Sequence, residues 1–135
     1  MTASALALQQ AIYATLTQAA PLTALLGGPR IYDDTPQPVV FPYVTFGQST
    51  VREASTSTEP GDEHIVTLHV WSRAHGRSET HAIIEVLRSS LHDKPLTLTG
   101  HHLVNLRHEF SEARRDPDGE TIHGIVRLRA ATEPL

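Results

Sequence analysis

Nine histidines, no cysteine and a few adjacent charge pairs are the groups in this 135-residue chain that could do chemistry. Imidazoles invite a metal centre. A zinc site needs three or four converging ligands, and a helical pair shows itself as H-x-x-x-H. No such pair is present, and His81 and His92 stand eleven apart. His64, His69, His108 and His123 fall in strand-like segments and could meet only through strand pairing. His64 and His69 point to opposite faces. Scattered surface and half-buried imidazoles are therefore expected, with no metal site. The absence of cysteine excludes thiolate ligands and disulfides.

Nucleophilic chemistry has no better footing. There is no G-x-S-x-G elbow, and Ser57, Ser72 and Ser111 carry no local signature. The carboxylate pairs Asp33-Asp34 and Asp62-Glu63 read as solvated loop acids. Gly27-Gly28 matches neither phosphate-binding glycine pattern. Arg114-Arg115 could touch a phosphate, but Asp116 and Asp118 beside them favour local pairing. The expectation is no catalytic residue, no cofactor and no enzyme. The net charge of −4 argues against a simple nucleic-acid binder. That acidity sits before residue 64, where six acids face two bases; beyond it, nine face nine. The N-terminal stretch lacks a basic region and a continuous apolar run, so neither a signal peptide nor a membrane span is expected.

The elements that must position these groups are organised around His64–Arg73. This is the longest run of strand-favouring residues, with no Gly or Pro inside. Val66, Leu68 and Val70 take one face; Ile65, Thr67, His69 and Trp71 take the other. Two half-apolar faces fit a central strand. Before it, Ala5, Leu8, Ile12 and Leu16 line one face of a helix over 4–19, with Ser4 as N-cap. A short helix over 22–26 ends at Gly27-Gly28. Residues 30–32 form a brief strand, and 40–46 form another that can run on to 51. Residues 52–63 read as a long, solvated, mobile connection. After the central strand, Thr80, Ile83, Ile84, Leu87 and Leu91 line a helix over 77–92, capped by Gly76 or Ser78. A short strand over 96–99 precedes an alternating one over 102–112. There Val104, Leu106, His108 and Phe110 face one way, and Asn105, Arg107 and Glu109 the other. The turn 115–119 leads to a last strand over 121–130. Its Ile122, Val126 and Leu128 point inward, its His123, Arg127 and Arg129 outward, and Gly124 marks a close approach or bulge.

The fold class is α+β: a mostly antiparallel sheet of about five strands, with two long helices packed on one face, in one domain over 1–135. The core is expected to hold Val66, Leu68, Val70, Ile83, Leu87, Leu106 and Phe110. The other sheet face is mixed, and another chain could cover it. The candidate interface residues are Arg52, Glu53, Glu59, Asp62, Glu63, Trp71, Arg107, Arg114, Arg115, Arg127 and Arg129. Trp71 has two readings, as sheet packing or as an interface anchor.

The segments LQQAIYATL, LTALLGGPRIYDDTPQ, FPYVTFG, HIVTLHVWSRAHGRSE, GHHLVNLRHEF and RDPDGETIHGIVRLRAATEP follow one another in this chain. Their succession resembles the tail-completion, or tail-terminator, proteins of long-tailed bacteriophages and gene transfer agents, from about Leu8 to Pro134. The resemblance implies a structural virion protein at the head-proximal end of the tail. It implies a ring, of six copies in characterised relatives, that stops tail-tube growth and joins the tail to the head's connector. Implied partners are other copies of the chain, the tail tube protein and the head–tail connector. The resemblance also implies that DNA passes through the lumen without specific binding, and no membrane partner is expected. The competing readings are a small-ligand or peptide-binding domain using the open sheet face, and a metal-dependent enzyme using strand histidines.

Overall fold

The structure, a computed structural model, describes residues 3–135. Met1 and Thr2, the first residues of the expected 1–135 unit, lie outside the described residues. The elements run α1 (Ser4–Thr17), α2 (Ala20–Leu26), β1 (Ile31–Tyr32), β2 (Tyr43–Glu53), β3 (Asp62–Ser72), α3 (Ser78–Leu91), β4 (His101–Arg115) and β5 (Ile122–Pro134). The five strands form one sheet in the order β1-β2-β3-β5-β4, so β3 is central as its two apolar faces require. Among the described residues only the β1–β2 contact is parallel.

Helices α1, α2 and α3 cover one face of the sheet. Leu8, Ile12, Leu16, Ile83, Leu87 and Leu91 are fully buried and meet Val44, Leu68, Val70, Val126 and Leu128 from the strands. The α3 stripe is the one its 3.6-residue spacing dictates. In α1 the buried face is Ser4, Ala7, Leu8, Ile12 and Leu16, and Ala5 is only half-buried at its margin. Gly124 does mark a close approach. A Cβ there would lie 2.8 Å from Thr80 Cγ2 and 3.0 Å from Val70 Cβ, so α3 rests directly on the β5 backbone.

Several expectations need correction. Ser4 is not the N-cap of α1; Ala3 is, and the Ser4 hydroxyl instead donates to Asp62 Oδ2 at 2.9 Å, tying the helix start to the base of the β2–β3 hairpin. Arg77 caps α3, without a side-chain bond, rather than Gly76 or Ser78. Residues 96–99 form no strand, only a single bridge between Leu98 and His101. The connection expected over 52–63 is ladder only at its two ends: Arg52 pairs with Glu63 and Glu53 with Asp62, leaving 54–61 as the tip. The tip spends two of its hydroxyls on itself. Thr56 Oγ1 accepts from the Glu59 N–H at 2.9 Å, and Ser55 Oγ accepts from the Gly61 N–H at 3.1 Å.

Phe110 does not join the core; it is 41% exposed. Strand β4 shifts register between Leu103 and Asn105 and again between His108 and Phe110. A one-residue shift moves every later side chain to the other face. Leu106 and His108 stay inward, Phe110 turns outward opposite Arg127, and Val104 is exposed. Turn residues after α3 reinforce this region. Asp93 N–H donates to Leu106 O at 2.8 Å, and His108 N–H donates to His92 Nδ1 at 2.9 Å.

Candidate functional site

The open face of the sheet carries two groups of side chains. The first is a ladder of rings across β1, β2, β3 and β5. Tyr32 packs on Tyr43 at 6.1 Å between centroids, and Tyr43 on Trp71 at 6.2 Å. Trp71 stacks on His123 at 4.1 Å, and His123 packs on His69 at 4.8 Å. Register makes these contacts, because Tyr43, Trp71 and His123 stand opposite one another on β2, β3 and β5.

Polar bonds fix three of these rings, Trp71, His69 and His123. Trp71 Nε1 donates to Thr45 Oγ1 at 3.0 Å. His69 Nδ1 lies 2.6 Å from His123 Nε2, and His123 Nδ1 lies 3.5 Å from Asp116 Oδ1. Burial lowers the pKa of both imidazoles, and His123 lowers that of His69 further. The His69 ring also lies directly over Gly47, where a Cβ would collide with it. At the rim, the Arg73 guanidinium sits 4.3 Å over the Phe41 ring and donates to Thr121 Oγ1 at 3.2 Å. The Thr121 N–H and hydroxyl and the Glu120 N–H all donate to Asp118, holding its carboxyl at about 2.

Three stretches distant in sequence thus meet at one corner. P-Y-V-T-F-G supplies Tyr43, Thr45 and Gly47; H-V-W-S-R supplies His69, Trp71 and Arg73; R-D-P-D-G supplies Asp116 and Asp118. Sequence reasoning found Trp71 and missed that His69, His123, Tyr43 and Asp116 surround it. The signal was available, since His69 and Trp71 alternate on β3 and His123 is outward on β5. What was missing was the pairing register.

This corner is a packed, bonded lock. Both nitrogens of His123 are occupied, and Trp71 is half-buried with its only donor used. Among the described residues no group of three or more His, Cys, Asp or Glu is placed to hold a metal. His64 faces the other way, buried beside Thr132 Oγ1 at 2.8 Å. The enclosed space between α1 and β2, lined by Leu8, Phe46 and Val51 among others, measures ≈ 10 Å³, about one water probe. Among the described residues no helix is long and apolar enough to cross a membrane.

The second group is charged and exposed. Arg129 Nε donates to Glu109 Oε2 at 3.1 Å, and Arg52 donates to Glu63 at 2.8 Å. Arg107 stands directly opposite Arg129, and the Arg127 guanidinium lies 5.3 Å from the Phe110 ring centroid. Arg114 is opposite His123 on the same face. Arg115, opposite Ile122, takes the other face and donates to Gly119 O at 3.1 Å, a backbone carbonyl of its own turn rather than the neighbouring Asp116 or Asp118. Glu53 and Glu59 are exposed on the hairpin.

Together these features define an α+β domain with three helices on one sheet face and the other face open. The chain belongs to the family described as "Tail completion protein gp17", which matches residues 10–133. It is a structural protein of a phage or gene-transfer-agent tail. It is 27% identical over 123 residues to the tail completion protein gp17 of Bacillus phage SPP1, covering 91% of this chain and 90% of that one. Its structure matches a chain of the virion of a native gene transfer agent particle with a TM-score of 0.90 and 31% identity, over 98% of this chain and 99% of that chain. It also matches the structure of bacteriophage SPP1 gp17 with a TM-score of 0.62 and 28% identity, over 94% and 89%.

Proposed function

We propose that this protein closes the head-proximal end of the tail tube as a ring, probed below as a homohexamer, and joins the tail to the head connector. The near-complete overlap with a chain of the gene transfer agent virion supports this reading most. A ring subunit needs two different surfaces that meet between neighbours. The open sheet face and the β2–β3 hairpin are two such surfaces. Arg52, Glu53, Glu59, Asp62, Glu63, Arg107, Arg114, Arg115, Arg127 and Arg129 are the proposed contacts with neighbouring copies, the tube and the connector. Trp71, half-buried on that same face, is the proposed aromatic anchor beside them. DNA passes through the lumen without sequence-specific contacts.

The test is a deletion strain viewed by electron microscopy. Tails without the protein should be irregular in length, or heads should lack tails; normal particles would end the proposal. In particles complemented with the wild-type protein, six subunits per tail are expected. A second arm replaces Ser55–Pro60 by an Asn-Gly turn, which keeps the hairpin paired. Folding stability should stay near wild type while joining fails. If this variant complements fully, the hairpin tip takes no part.

A further inference from the structure

The Arg107–Arg129 pair is an anomaly. Like charges directly opposite on antiparallel neighbours destabilise a sheet. Arg127 lies two positions from Arg129 on the same face and adds a third guanidinium. Only Glu109 answers them, through Arg129; Arg107 and Arg127 have no carboxylate partner among the described residues. All three are exposed, and Phe110 lies open beside Arg127. Arginine next to an aromatic ring is the composition of an interface centre. A patch that opposes its own fold needs an anionic occupant.

Resting on the ring reading, we propose that this occupant is the acidic β2–β3 hairpin of a second copy, with Glu53 and Glu59 set against Arg107 and Arg127. Both glutamates are exposed and have no cationic partner among the described residues. The chain's own hairpin cannot supply them. Its base pairs with Thr132, five strand residues or about 16 Å from Arg127, and its tip runs on past that end of the sheet. The hairpin belongs to the β2 side of the sheet and the patch to the β4 side. Contact between two different surfaces is head-to-tail, the kind of contact that forms a ring when the rotation between neighbours closes. The uneven charge of the sequence, acidic before residue 64 and balanced after it, is the linear trace of this complementarity.

Charge reversal tests the pairing. One variant carries Arg107→Glu and Arg127→Glu; the other carries Glu53→Lys and Glu59→Lys. All four positions are exposed strand or loop sites, so urea unfolding should show both variants folded. Assembly is read by sedimentation over a wide concentration range and on tails isolated from a deletion strain. Each variant alone should need roughly tenfold or more protein to assemble. A one-to-one mixture should recover, since alternating copies then oppose unlike charges at every contact. If the wild type assembles and both variants assemble equally well, the pairing is overturned and the ring reading stands. If each variant is impaired and the mixture fails to recover, the pairing is likewise overturned. If the wild type forms rings neither alone nor on tails, the ring reading itself fails. Loss of duplex DNA binding in the arginine variant, with assembly unchanged, would assign the patch to phosphates and overturn the proposal.

Discussion

His69 Nδ1 and His123 Nε2 lie 2.6 Å apart, so the two imidazoles share one proton position between neighbouring strands. Two charged rings cannot occupy that space. Burial lowers both pKa values, and it also lowers those of His64 and His108. Their ordinary value is 6.5. Above it, folded and unfolded chains are both neutral there and stability is full. As pH falls below it, the unfolded chain takes up protons that the folded chain resists, and stability drops until the folded-state values are reached. Urea unfolding at pH 8 and pH 5.5 should show a clear loss at the lower pH. His69→Gln should reduce that loss. Equal stability at both pH values would refute the buried, neutral pair.

Gly47 gives the His69 ring its space. Gly47→Ala should push the ring aside, break its contact with His123 and cost about 1–3 kcal/mol, the range for overpacking. NMR titration of the histidines in this variant should show His69 moving back toward its ordinary pKa. An unchanged titration would mean that the ring is held elsewhere.

Gly124→Ala should cost a similar amount, about 1–3 kcal/mol, because Thr80, Val70 and Ile84 all crowd the new methyl. The Thr80 hydroxyl is buried without a hydrogen-bond partner among the described residues. Thr80→Val should therefore leave stability unchanged or raise it by up to about 1 kcal/mol. Thermal or urea unfolding decides both, and a destabilised Thr80→Val would reveal a bonded hydroxyl.

Leu68 is fully buried on the central strand, and Leu68→Ala should cost about 2–5 kcal/mol. Phe110→Ala should cost only about 1 kcal/mol, since the ring is partly exposed and its main gain is the Arg127 contact. Similar losses for the two variants would put Phe110 back in the core.

The contrast between Leu68 and Phe110 also shows what the sequence could reveal. Strand β3 alternates without interruption, so its faces were legible residue by residue. The α3 stripe and the open β5 face were legible for the same reason. Strand β4 has the same alternation on paper, yet two register shifts divide it, and no single residue type announces a bulge. The interface candidates on β4 and β5 came from that outward face. The ring ladder did not, because Tyr43, His69, Trp71 and His123 meet only once three strands are in register. The hairpin was misjudged for another reason. Its polar strand ends look like loop until Arg52 is set against Glu63.

The bonds from His92 and Asp93 to β4 have a consequence for the subunit before it is used. Strand β4 is fifteen residues long and forms the margin of the sheet. A bare margin of that length is a template on which stray copies stack into fibres. Here His92 and Asp93 occupy its backbone at His108 and Leu106, and the two bulges divide what remains into short runs. The longest run without a register shift is Phe110–Arg115, and the charges of Glu112, Arg114 and Arg115 within it discourage a second strand from stacking there. The free subunit therefore presents a margin that resists strand-on-strand stacking.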